Sequence, residues 1–127
     1  MEEKIARELI EKYFKAWKEK DLKMFLSVLH NQIEVRESTG AVYQGKKILE
    51  KWFASWNQGT NEVIYWEINS FGFDEKRETA FIEWKFKCKY ENKEYEFEGS
   101  SIVYFNDNLI FGINEYEMKL EKSYPYN

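Results

Sequence analysis

The chain has 127 residues, 43% of them hydrophobic, 33% charged and 19% aromatic, and a net charge of −4. That length fits one ordinary domain, taken as residues 1–127, able to bury most of its apolar surface without staples. Lys and Arg are scattered among Asp and Glu with no basic stripe, which excludes nucleic acid as an expected partner, and one cysteine with one histidine excludes an internal disulfide and a Cys/His zinc site.

The first third of the chain has helical periodicity. Ile5, Leu9, Ile10, Tyr13, Phe14 and Trp17 form a wide apolar stripe on one helix. Lys18, Glu19 and Lys20 break it, and Asp21 is placed to cap a second helix carrying Leu22, Phe25, Leu26 and Leu29 on one face. A short strand is predicted near Ile33 to Glu37. Gly40 and Gly45 then bracket a loop opening a third helix, whose stripe is Ile48, Leu49, Trp52, Phe53 and Trp56 and which Asn57, Gln58 and Gly59 stop.

From Glu62 the pattern becomes alternation. Ile64, Trp66 and Ile68 share a face of one strand. Ile82, Trp84, Phe86, Cys88 and Tyr90 share a face of the next, opposite Glu83, Lys85, Lys87 and Lys89. Tyr95, Phe97, Gly99, Ser101, Val103 and Phe105 alternate with Glu94, Glu96 and Glu98, so the glutamates and lysines are expected to pair across strands on the outer face. Phe111, Ile113 and Glu115 lead the last strand. The turns are polar, at residues 74–77, 91–93 and 106–108. Helices followed by long antiparallel strands predict an α+β domain with helices on one face of a curved sheet.

The order of these elements and several local motifs resemble the NTF2-like superfamily, in particular its SnoaL-like branch. The resembling stretches are Tyr13-Phe14-Lys15-Ala16-Trp17 with Asp21-Leu22, and Tyr43-Gln44-Gly45-Lys46-Lys47-Ile48. Further on come Thr79-Ala80-Phe81-Ile82-Glu83-Trp84, Gly99-Ser100-Ser101-Ile102-Val103 running into Phe105, and Leu109-Ile110 leading to Glu115-Tyr116. The resemblance implies a cone-shaped, cystatin-like fold of three N-terminal helices on a strongly curved, mostly antiparallel sheet, with a pocket between the layers and a homodimer formed through the outer sheet face. It spans ketosteroid isomerases, polyketide cyclases, dehydratases and epoxide hydrolases as well as non-catalytic carriers and assembly domains, so the fold does not fix the function.

Laid against ketosteroid isomerase from Leu9 to Ser38, the resemblance puts Tyr13 at the oxyanion-hole tyrosine and Glu37 at the carboxylate base. Ser101 falls where the isomerase has a protonated acid, and a serine is a less acidic donor. From the residues alone, Glu37 beside Arg36 suits either a pocket or an ion-paired surface position. Glu115 extends the Phe111–Ile113 alternation toward the pocket side, unless the strand has left the core there. Such carboxylates could perform acid–base work or hold a cationic group. Trp17, Trp52, Trp56 and Trp84, with Ser101 and Ile113, are the candidate ligand-binding residues, with plain core packing as the alternative for the aromatic ones. His30 is expected at the C-terminal end of the second helix or in solvent, and Cys88 as inert packing.

No phosphate-cradling glycine loop, nucleophile elbow or metal cluster occurs, so no cofactor is expected. No apolar stretch is long enough to span a membrane, and residues 1–5 do not open a signal peptide, which makes the cytoplasm the expected address. The expected function is binding of a small apolar or cyclic molecule, with cofactor-free isomerase, cyclase or lyase chemistry. A non-catalytic carrier or a dimeric assembly domain is the alternative.

Overall fold

A computed structural model describes residues 1–127. Helix α1 spans Glu3–Glu19 and buries Ala6, Ile10, Tyr13, Phe14, Ala16 and Trp17. The inward arc includes the two alanines, which let the helix approach the sheet closely, and it leaves Ile5 37% exposed. Lys20 ends the helix in the left-handed conformation (φ 57°). Asp21 then caps α2 (Leu22–Ser27), its carboxylate accepting the Met24 N–H at 3.0 Å. That helix is one residue past Leu26 when it stops, so Leu29 belongs to strand β1 (Leu29–Arg36) instead of the helical face.

Strand β2 (Val42–Gln44) occupies what the sequence presents as loop between Gly40 and Gly45. Gly45 (φ 90°) turns the chain into α3 (Lys46–Trp56), which buries Leu49 and Phe53 while Ile48 faces outward. Four long strands complete the sheet: β3 (Glu62–Asp74), β4 (Thr79–Tyr90), β5 (Lys93–Asn106) and β6 (Leu109–Lys119). The strand order is β2-β1-β6-β5-β4-β3. Every pair is antiparallel except β1 with β6, which run parallel.

Register shifts interrupt the ladders between Val63 and Tyr65, between Ile68 and Ser70, and between Tyr104 and Phe105. An extra residue on one strand bends that strand and increases its twist, so these bulges curve the sheet around the helices. They also correct the predicted facing. Val63 and Trp66 are buried, whereas Ile64 is 42% exposed. In β6 the inward residues are Ile110 and Ile113, and Phe111 packs edge-on against His30 instead.

One apolar cluster joins both layers, from Ile10 and Phe25 on the helices to Leu29, Ile82, Val103 and Ile110 on the strands. On the outer face Lys85, Lys87 and Lys89 stand opposite Glu98, Glu96 and Glu94. Their closest contacts are diagonal, Lys85–Glu96 at 3.9 Å and Lys87–Glu94 at 3.6 Å. Exposed pairs of this kind contribute at most about 1 kcal/mol each, so they set register more than stability. No helix is long and apolar enough to cross a membrane.

Candidate functional site

The helices do not fill the concave side of the sheet completely. Between α1, α3 and the far ends of β3–β6 lies a cavity of about 440 Å³, above the roughly 300 Å³ at which ligand sites begin. Trp17, Trp66 and Trp84 are nearly solvent-inaccessible and form its floor, while Thr39, Tyr95 and Glu117 are exposed at its rim. Trp52 and Trp56 come from α3, and Phe86, Tyr90 and Phe97 from the sheet.

The rings brace one another. Trp17 meets Trp52 at 4.9 Å with 64° between planes and Trp56 at 5.6 Å with 87°. Trp66 stacks on Phe14 at 3.9 Å and meets Trp84 edge-on. Tyr43 stacks on Trp52 at 4.4 Å. Gly99 makes room for the Trp84 ring: a Cβ there would run into the Tyr116 carbonyl and lie 2.8 Å from Trp84 Cζ2. Trp84 Nε1 donates to Ser101 Oγ at 2.9 Å, fixing the indole's rotation.

Glu37, Glu115 and Glu117 line the same cavity, and no Lys, Arg or His does. Glu37 sits just past the end of β1, half-buried, and accepts a hydrogen bond from Tyr43 Oη at 3.2 Å. The Arg36 side chain turns away from it, to Glu34 at 2.8 Å and Asn114 at 2.6 Å. Burial raises the Glu37 pKa, the Tyr43 hydroxyl opposes that rise, and the charge of Glu117 adds to it.

Glu115 pairs with Ser101 across β5 and β6 and faces the cavity floor. Burial pushes its pKa up to about 8, with the negative charges of Glu37 and Glu117 adding to the effect. Beside it, Tyr13 Oη is buried with no partner in good hydrogen-bond geometry, and its pKa is raised well above the ordinary tyrosine value by burial first and Glu115 next, the nearby Trp17 indole opposing the rise. Trp17 Nε1 and Trp66 Nε1 are also buried and unpartnered. Buried polar groups left unsatisfied are uncommon; of the four here, the two indole N–H groups lie on the cavity wall, Tyr13 Oη behind it, and Asn57 Oδ1 at the C-terminal end of α3.

Of the candidate residues, Glu37, Glu115, Trp17, Trp52, Trp56 and Trp84 meet on the cavity wall. Tyr13, Ser101 and Ile113 do not. They border a crevice of about 10 Å³ behind it, too small for a ligand, with Glu115 shared between the two spaces. His30 lies on β1 instead of capping α2, with Nδ1 accepting the Gln32 N–H at 3.0 Å and Nε2 3.4 Å from Asp107. Cys88 is buried against the cavity, and burial lifts its thiol to about 11, leaving little nucleophilic thiolate at neutral pH. Tyr43, Trp66 and Glu117 are additions to the site. Glu117 continues the Ile113–Glu115 alternation by one step, so the signal was present in the sequence. Trp66 was readable as inward, but not as a wall of an open space.

A helix-covered, strongly bent sheet of this kind is the NTF2-like fold. The chain belongs to the SnoaL-like domain family, whose model matches residues 10–113. Its fold is similar to that of an epoxide hydrolase from Mycobacterium tuberculosis, with 14% identity, a TM-score of 0.80, and 91% of this chain and 84% of that one covered. It is similar also to a Catenulispora acidiphila protein with a ketosteroid isomerase-like fold, in complex with trimethylamine, at 13% identity and TM-score 0.75, covering 89% and 86%. An NTF2-like protein of unknown function from Burkholderia xenovorans aligns with 14% identity, TM-score 0.75, and coverage of 98% and 91%. At these identities the likeness is one of fold. No protein of curated function matches the sequence.

Proposed function

We propose that residues 1–127 act as one domain that takes a small organic molecule into the aromatic cavity and moves protons on it, without a cofactor, using Glu115 and Glu37. The observation that carries this reading is a pair of carboxyl groups in one apolar space whose environments differ. Glu115 has a pKa near 8 and holds its proton at neutral pH, whereas Glu37 is raised less and keeps a stabilising hydrogen bond from Tyr43. Carboxyl groups separated in this way divide into an acid and a base. Glu115 delivers a proton to an oxygen of the bound molecule while the Glu37 carboxylate accepts one from an adjacent carbon or a water. Proton in and proton out leave the substrate's oxidation state unchanged, which fits isomerisation, ring closure, loss of water or hydration.

Support also comes from the relatives, which include an epoxide hydrolase and a protein holding a small organic base. The test begins with compounds that raise the melting temperature of the protein, each then assayed for turnover. Glu115→Gln and Glu37→Gln are each expected to lower kcat by about 10²-fold or more, the usual weight of general acid–base catalysis, with ligand affinity changed much less. Activity of the parent is expected to fall as pH rises past about 8, where Glu115 loses its proton. Full turnover in both variants rejects the assignment. Binding without turnover by the parent leaves the carrier reading.

A homodimer belongs to the same proposal. The outer sheet face carries Phe81, Tyr104, Tyr116 and Met118, each at least a third exposed, an apolar surface of the kind that partner contacts cover. A cytoplasmic address, where the lone Cys88 thiol stays reduced, completes the proposal.

A further inference from the structure

The electrostatics of the cavity are one-sided. Glu37 approaches from the end of β1, Glu115 and Glu117 from β6, and the remaining wall is aromatic or uncharged, with Tyr13 the one titratable group behind Glu115 on α1. No cation lines the wall, and Lys51 of α3 lies in the adjoining hollow beside Tyr43, Trp52, Trp56 and Tyr90. Arg36 is held by Glu34 and Asn114, and Lys85 and Lys87 pair with Glu96 and Glu94 on the outer face. The aromatic lining adds to this field, because a ring's π face is negative and attracts a cation within about 6 Å of its centroid.

The shape of the wall narrows the choice further. Trp52 and Trp56 meet Trp17 at 64° and 87°, and Trp66 meets Trp84 at 85°. Parallel rings make a slot for a flat molecule; rings at right angles make a corner, which suits a compact, roughly spherical group. We infer that the cavity receives an organic cation, an alkylammonium group seated in the corner of Trp17, Trp52 and Trp56 with Glu37, Glu115 and Glu117 as counter-charges. This rests on the cavity being the ligand site proposed above and names the class of molecule that fills it. Three carboxyl groups brought together without a cation repel one another, and that repulsion contributes to the upward shifts of Glu37 and Glu115. A bound ammonium removes it and lowers the Glu115 pKa, which strengthens the carboxyl as a proton donor to the bound molecule; with choline, whose alcohol takes no proton, the proton goes to solvent.

The experiment compares choline with 3,3-dimethyl-1-butanol, the same skeleton with carbon in place of the charged nitrogen, by isothermal titration calorimetry on the full chain. Choline is expected to bind at least about tenfold more tightly, the scale of a desolvated cation–π contact. Its advantage should grow between about pH 6 and about pH 9, and binding should release protons, detected as heats that vary with the ionisation enthalpy of the buffer. Glu115→Gln should cut the pH dependence of choline binding. Equal or tighter binding of the alcohol overturns the inference and leaves the cavity a site for neutral ligands. If neither binds, the inference also falls, and 2-naphthol, flat and uncharged at about pH 6, then decides the underlying reading: its binding retains the cavity as a ligand site, and its failure removes that too.

Discussion

Glu115 gives the site its acid–base character and also leaves a signature in stability. Its pKa in the fold, about 8, lies above the ordinary value of 4.5 that an unfolded chain would show. Between those values the folded state holds a proton that the unfolded state has released, so folding stability falls as pH rises across that window. The contribution is fully present below the lower value and lost by the upper one. Glu115→Gln, which cannot ionise, is therefore expected to raise the melting temperature relative to the parent at about pH 8 and to leave it nearly unchanged at about pH 4. Thermal melts of both proteins at the two pH values check this; an equal shift at both would assign the effect to packing. At this scale the sequence was informative wherever a period of two held. Ile113 and Glu115 kept their predicted side, whereas Ile64 and Phe111 did not, because a bulge inserts one residue and reverses the facing beyond it. The unpartnered Tyr13 hydroxyl had no signal in sequence, since a buried donor's partner is set by the tertiary packing around it.

Strands β4, β5 and β6 cooperate to hold one indole. Gly99 in β5 leaves the space that the Trp84 ring occupies, and Ser101, two residues on, accepts its N–H. Gly99→Ala is expected to push Trp84 out of that position and destabilise the protein by about 1–3 kcal/mol, the usual penalty for overpacking, with loss of the Trp84–Ser101 hydrogen bond. Denaturant unfolding measures the cost. Ser101→Ala provides the contrast, removing the acceptor without a steric clash, at about 1–3 kcal/mol for the orphaned N–H. If Gly99→Ala is as stable as the parent, β5 and β6 separate more readily than their ladder suggests. Elements with strong local chemistry were legible: Asp21 as a cap, and the turns at Glu91-Asn92 and Asp107-Asn108, where all four residues have positive φ. Strand β2 was not, because three residues between two glycines carry too little alternation to distinguish a strand from a loop.

For the molecule as a whole, the order of elements and the wide apolar faces were enough to read the helix-on-sheet architecture. The parallel β1–β6 pairing joins residues 78 positions apart in the chain, as at Arg36 and Asn114, and no local pattern encodes it. The outer sheet face is where the proposed second copy is tested. Phe81 and Tyr116 are 49% and 51% exposed, so changing both to Lys disturbs no core contact. Sedimentation equilibrium is expected to find a dimer for the parent and a monomer for Phe81→Lys/Tyr116→Lys. A monomeric parent would remove the interface.

The aromatic lining has an optical consequence. All five tryptophans of the chain border the cavity, and none lies anywhere else. Light emitted by this protein after excitation of its indoles therefore originates from the walls of one space, with no background from distant fluorophores. Their close, angled packing also allows excitation to pass from ring to ring before emission. A molecule entering that space would alter the colour or yield of the whole signal, so the chain carries its own label-free indicator of whether the cavity is occupied.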